Sequence, residues 1–229
     1  SAIEFFISNE VVGEFAAKDV LEVGSRYVSG SVRPFVERFL HPARYVGRYV
    51  NLIVPAENLT EYFGENSFDI VVATELLEHV VDWRSAINNM KRVLKVGGYA
   101  YATTRSFGAP CHDYSRDFWR YEIPDMKKIF SDFEITILQN DPGDIQNPGI
   151  FLKARKRSGE GLADLSSVEL YSMVTGKRTL ETPKPVNMPI SRRMKLSMVI
   201  LRSKLLRHVR IGCFWIDADY RTLMNFCSA

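Results

Sequence analysis

The sequence predicts an α/β fold, a doubly wound sheet with helices on both faces. Three observations predict it. Residues 20–23 form a short apolar run that ends at Gly24, followed by a polar turn and a helical pattern over 32–40. Residues 68–73 (FDIVVA) are apolar after one acid, as in a strand buried on both faces. Strand-like and helix-like segments then alternate to residue 154.

Taken in order, residues 2–17 carry Phe5, Phe6, Val12 and Phe15 in a loose helical pattern that suits the edge of a sheet. Residues 20–23 are the first strand. The helix over 32–40 places Val32, Phe35, Val36, Phe39 and Leu40 at helical spacing. Pro34 falls in its first turn, where an N–H has no intrahelical partner to lose. Residues 45–50 and 52–54 read as short strands. A helix over 83–94 has Ile87, Met90, Val93 and Leu94 on one face, and Gly97-Gly98 supplies its stop. Residues 99–104 are the next strand and 124–130 a short helix. Residues 134–138 and 150–154 are the last strands of the body. In such a sheet ligands sit beyond the carboxyl ends of the strands. That gathers Gly24, Tyr49, residues 55–58, residues 74–76 and Arg105 around one crevice.

The totals suit one α/β domain with an appendage. The chain has 229 residues, 46% hydrophobic and 25% charged, enough for a large core. Three cysteines, Cys111, Cys213 and Cys227, lack metal-ligand spacing and predict free thiols in a reducing, cytoplasmic setting. No long uncharged apolar run predicts a membrane span, and residues 1–10 lack the basic start of a signal peptide. The net charge of +3 hides an asymmetry. Residues 1–152 hold 15 basic and 21 acidic side chains (−6), whereas 153–229 hold 15 and 6 (+9). After Gly24 the next glycine is Gly30, so the dinucleotide fingerprint is absent and a dehydrogenase is disfavoured. No Gly-Lys-Ser/Thr follows either, which excludes a P-loop.

Six phrases in fixed order resemble a class I S-adenosylmethionine-dependent methyltransferase of the methyltransferase type 11 kind. They are VLEVGSRYVSGSVRPFVE (20–37), YVG (45–47), AENL (56–59), SFDIVVATELLEHVVDW (67–83), MKRVLKVGGYAYATTRS (90–106) and HDYSRDFWRY (112–121). The resemblance spans residues 18–156. It implies a seven-stranded, Rossmann-like sheet whose last strand runs antiparallel. It implies S-adenosyl-L-methionine as cofactor, held by Glu22, Gly24, Ser25, Arg26, Tyr49, Ala56, Glu57, Thr74, Glu75 and Leu76. Glu22 has a second reading, as a cap for the helix after the turn. The sequence departs from the family where acids usually contact the cofactor: Tyr27, Tyr49 and Pro55 stand there. Each lost charged hydrogen bond is worth about 1.5–3 kcal/mol, so Tyr27, Tyr49, Asn51 or Glu57 must substitute if binding survives. Tyr49 can donate or accept one bond and stack on adenine.

Methyl transfer needs a base only where the acceptor must lose a proton. His112 is the first candidate and His79 the second; His79 can also simply order its turn, and Glu78 reads as structural. The segment holding His112, Asp113, Tyr114, Trp119, Arg120 and Tyr121 reads equally as an acceptor lid or as a packed loop anchored by Trp119 and Tyr121. No metal ligand set is expected.

The sequence divides into a methyltransferase-like domain over 1–157 and a basic extension over 158–229. Residues 191–211 hold Arg192, Arg193, Lys195, Arg202, Lys204, Arg207 and Arg210 and no acid, with Met194, Met198, Leu201, Leu205 and Val209 on one stripe. This helix can pack on the sheet or in a homodimer, lie on an anionic membrane surface, or contact nucleic acid; the last is disfavoured because aromatics are missing until Phe214. Two functions follow. One is an enzyme methylating a small-molecule, glycan-linked or lipid-linked acceptor, the glycan option resting on the HDY…WRY phrase. The other is a non-catalytic methyltransferase-like binding module that uses its basic part for partner contact.

Overall fold

The computed structural model describes residues 15–24, 32–47, 55–111, 117–143, 148–157 and 161–182. Its centre is a six-stranded sheet. The strands are β1 (Asp19–Val23), β2 (Arg44–Val46), β3 (Phe68–Thr74), β4 (Leu94–Arg105), β6 (Phe133–Asn140) and β7 (Gly149–Lys156), and β5 (Trp119–Arg120) lies outside it. The strand order is β2-β1-β3-β4-β7-β6. The first four run parallel, and β7 is antiparallel to both β4 and β6. Six of the seven expected strands are described, in a doubly wound sheet whose last strand is antiparallel. The expected segments 2–14, 48–50 and 52–54 lie outside the described residues.

Two apolar layers sandwich the sheet. One holds Phe15, Val20, Val32, Val36, Leu40, Ile70, Val72, Tyr101 and Phe151. Its helix α1 (Arg33–Phe35) begins with Pro34 in the first turn and continues as a wider turn over Val36–Leu40. Val32, Val36 and Leu40 face inward as their spacing predicts, but Phe35 is exposed. On the other layer lie α2 (Leu59–Phe63), α3 (Trp83–Val93) and α4 (Ile123–Ile129). Asp82 starts α3 by accepting from the Ser85 backbone N–H at 3.1 Å. Trp83, Ala86, Ile87, Met90 and Val93 are its buried face.

Gly97-Gly98 does not stop α3. The helix ends at Val93 and passes directly into β4 through an extended Leu94. The glycines instead serve an irregularity in the β3–β4 register between Phe68 and Ile70. Gly97 has φ +81°, and a Cβ on Gly98 would lie 2.6 Å from the Asp69 carbonyl oxygen. The junction is pinned by two buried amines. Lys91 Nζ bonds Asp132 at 2.6 Å, and Lys156 Nζ bonds the Lys91 and Leu94 carbonyls at 2.9 and 2.6 Å. Burial holds the Lys91 amine below its ordinary range despite Asp132.

The packing continues past residue 157. Leu165, Val168, Leu170 and Val174 belong to the main core. Strand β8 (Leu170–Ser172) pairs antiparallel with β5 and with β9 (Lys177–Thr179), giving a second, three-stranded sheet. Arg84 of α3 ties this segment down through three carbonyls, those of Leu165, Leu180 and Val168, at 2.9, 3.1 and 2.7 Å. Arg84→Ala is expected to lower stability by about 2 kcal/mol, since net hydrogen bonds to a charged donor are worth about 1.5–3 kcal/mol and do not add fully. Urea unfolding reads this loss, and limited proteolysis should cut first within 161–182. Among the described residues no helix is long and apolar enough to cross a membrane.

Candidate functional site

The carboxyl ends of β1, β3 and β4 form one rim. Val23 is level with Ala73, and Ala73 with Ala102. The chain leaves β1 at Gly24, whose φ is +95°. An added Cβ there would lie 3.0 Å from Leu76 Cβ and Cδ1. Glycine is required on both counts, conformation and space. Leu76 belongs to the turn after β3, so Gly24 and Leu76 are brought into contact across two strand ends.

Glu22, one residue inside the rim, is 1% exposed. Its Oε2 accepts from the Tyr45 hydroxyl at 2.9 Å, and its Oε1 from the Val32 backbone N–H at 3.2 Å. The carboxylate thus bonds the backbone N–H of Val32, the residue before α1.

After β3 the chain turns sharply. Thr74 ends the strand and Glu75 has φ +49°, a strained conformation for a non-glycine residue. The Glu75 N–H donates to the Thr103 carbonyl at 2.9 Å. Its carboxylate meets Arg105 Nε at 2.6 Å, linking the ends of β3 and β4. The 3₁₀ turn Leu77–His79 follows, with the His79 N–H bonded to the Leu76 carbonyl at 2.9 Å. Ala56 is buried at the start of another 3₁₀ turn, Ala56–Asn58, where Pro55 is exposed and brings no carboxylate. The Glu57 carbonyl accepts from Asn89 of α3 at 2.6 Å.

Beyond β4 the packed-loop reading applies to three residues. Trp119, Arg120 and Tyr121 are all 1% exposed or less. Trp119 Nε1 donates to the Val80 carbonyl at 3.0 Å, and the Tyr121 hydroxyl to the Leu77 carbonyl at 3.2 Å. Burial, with Glu78 nearby, pushes the Tyr121 phenol well above its usual range. It therefore stays protonated. Arg120 is the hub of the loop. Its guanidinium forks onto both oxygens of Asp117 and also bonds the carbonyls of Ala109, Pro110 and Trp119. Sequence reasoning missed that role, because an arginine between two aromatics carries no mark of burial. It also missed the Arg105–Glu75 pair.

Of the expected site residues, the structure gathers Gly24, Thr74, Glu75 and Leu76 at the rim, with Glu22 behind it and His79 one turn on. Ser25, Arg26, Tyr49 and His112 lie outside the described residues, as do Tyr27, Asp113 and Tyr114. Among the described residues no cluster of His, Cys, Asp and Glu could hold a metal ion.

A family model described as Methyltransferase domain matches residues 35–102. The body shares its fold with solved methyltransferases. This methyltransferase-like chain is similar to Burkholderia thailandensis 1,6-didemethyltoxoflavin-N1-methyltransferase, solved with 1,6-didemethyltoxoflavin and S-adenosylhomocysteine. The identity is 14%, the TM-score 0.52, and the match covers 69% of this chain and 79% of that one. An S-adenosylmethionine-dependent methyltransferase from Mesorhizobium loti matches at 13% identity and a TM-score of 0.51, over 67% of this chain and 98% of that one. A Haloferax volcanii complex of the Trm112 methyltransferase activator with a methyltransferase matches at 13% identity and 0.50, over 64% and 85%. No curated protein matches the chain. The likeness to these structures concerns the fold, and the methyltransferase family match rests on residues 35–102.

Proposed function

We propose that the protein binds S-adenosyl-L-methionine at the rim of β1, β3 and β4 and transfers its methyl group to a small-molecule, glycan-linked or lipid-linked acceptor. The observation that carries this reading is Gly24, a left-handed glycine at the end of β1, pressed against Leu76 beyond β3. A side chain there would meet Leu76, so a glycine lets the turn after β1 stay close to the turn after β3. When bound, the cofactor supplies an electrophilic methyl on a positively charged sulfur. Glu22, Gly24, Ser25 and Arg26 are the assigned contacts from the first turn, Tyr49, Ala56 and Glu57 from the second strand and the loop after it, and Thr74, Glu75 and Leu76 from beyond β3. This chain's own part in the reaction is binding and alignment, which supply much of the rate of an in-line displacement. His112 and His79 are the candidate bases.

The S-adenosylhomocysteine and small-molecule substrate bound in the Burkholderia thailandensis structure support the reading. One observation favours the second reading, a binding module without catalysis. The Glu22 oxygens are engaged by Tyr45 and Val32, and Pro55 supplies no acid. Segment 191–211 then becomes the candidate contact with an anionic membrane surface or a second copy of the chain, ahead of nucleic acid. Calorimetric titration with S-adenosylhomocysteine separates the two. The enzyme reading expects micromolar binding, about −8 kcal/mol. A folded protein that binds nothing up to millimolar ligand overturns it.

A further inference from the structure

Strand β4 begins at Leu94 and reaches the rim at Arg105, so its first residues lie roughly 25–30 Å away, at the opposite end of the sheet. There Val96, Gly97, Glu134, Arg155, Lys156 and Arg157 line an open groove of about 360 Å³. The end of β7 alternates between inside and outside. Lys156 is 6% exposed, and its amine is committed to the Lys91 and Leu94 carbonyls. Arg155 and Arg157, on either side of it, are exposed. Arg155 is held in place: its Nε donates to the Gly97 carbonyl at 3.3 Å, and its guanidinium lies 5.9 Å from the centre of the Tyr99 ring. Val96, beside Gly97, is 55% exposed. Glu134 of β6, level with Arg155, is the one acid among these lining residues.

Two exposed guanidiniums outweigh one carboxylate, so the groove suits an anion, and arginine is well matched to phosphate. The apolar side chain decides what carries that phosphate. An exposed valine set among exposed arginines fits a lipid surface, where charge meets the headgroups and the apolar group enters the boundary beneath them. A single-stranded nucleic acid would call for open rings on which bases stack. Here the Tyr99 and Tyr101 rings are covered by the Lys153 amine, at 5.0 and 5.3 Å from their centres.

We propose that this end of the sheet is a docking surface for an anionic membrane. Arg155 and Arg157 hold lipid phosphates at the groove, and Val96 enters the headgroup layer. The surface belongs to the folded body and is separate in sequence from residues 191–211. It lies at the far end of the sheet from the rim, so a docked protein keeps the rim open to its ligands. The inference stands without the methyl-transfer reading.

The test is co-sedimentation of the whole chain with vesicles of phosphatidylcholine, alone or with about one part in three of phosphatidylserine. The wild type should favour the anionic vesicles, and about 0.5 M salt should remove the preference. A basic residue near such a surface strengthens partitioning about 5-fold. Arg155→Gln with Arg157→Gln should therefore lower the partition coefficient about 25-fold, and a loss below about 5-fold overturns the proposal. Where Arg155→Gln disturbs the Gly97 contact and the double variant fails to fold, Arg157→Gln alone decides; about 5-fold is expected, and an unchanged value overturns the proposal. Val96→Ser should weaken binding about 3-fold through lost apolar burial, and an unmoved value counts equally against it. Vesicle binding that responds only to replacement of the basic residues in 191–211 assigns the contact to that segment and contradicts the proposal. Oligouridylate tests the nucleic-acid alternative: binding to it that falls with the arginine variants, while vesicle binding does not move, contradicts the proposal as well.

Discussion

Gly24→Ala should weaken S-adenosylhomocysteine binding by about 100-fold or more, equivalent to about 2.7 kcal/mol, while the protein stays folded. Two effects act together. The alanine must adopt φ near +95°, a left-handed conformation that costs a non-glycine residue roughly 1–2 kcal/mol. Its Cβ would also stand 3.0 Å from Leu76 Cβ and Cδ1, a tight contact that Leu76 must yield to. Relief of either strain moves the turn away from the crevice or rotates Leu76 into it. Gly24→Ala combined with Leu76→Ala separates the effects, because it removes the contact and leaves the backbone cost. Calorimetry should show partial recovery in the double variant. Wild-type affinity in Gly24→Ala would mean that the ligand does not approach this turn.

Asp117→Ala should be the most destabilising of the single substitutions considered. It strands the Arg120 guanidinium, which is 1% exposed, without its carboxylate partner. Removing one member of a buried pair costs about 3–5 kcal/mol, chiefly because the other charge stays buried. Carbonyls of Ala109, Pro110 and Trp119 remain as partners, which favours the lower end. The sign of the second step is diagnostic. Arg120→Met on the Asp117→Ala background should recover part of the loss, since it withdraws the stranded charge. Urea unfolding of the two variants measures this. A loss below about 1 kcal/mol for Asp117→Ala, the range of an exposed pair, would show that the pair is solvated.

The middle of the main sheet was legible because β1 and β3 are buried on both faces. Residues 68–73 leave little alternative to a central strand, and β3 occupies that place between β1 and β4. The Gly24 turn was legible from a strand running into a glycine. The Gly97-Gly98 stop was not, because glycine after a helix serves a C-cap or a register irregularity equally well in sequence. The Asp69 carbonyl that decides between them comes from another strand. Trp119 and Tyr121 stayed ambiguous because aromatic residues line pockets and fill cores alike. The segment over 161–182 escaped notice for a different reason. Strands of two and three residues carry no period, and β8 finds β5 across about fifty residues of chain. The long-range ion pairs, Arg105 with Glu75 and Arg178 with Glu122 and Asp125, are likewise products of topology.

The central claim is that a ligand occupies the rim where β1, β3 and β4 end. Backbone amide exchange with and without S-adenosylhomocysteine tests it most directly. The account predicts slower exchange confined to the residues after β1, around Gly24, and to Glu75 through His79, with the β6–β7 edge unchanged. Slowing at another surface, or none with saturating ligand, would contradict it.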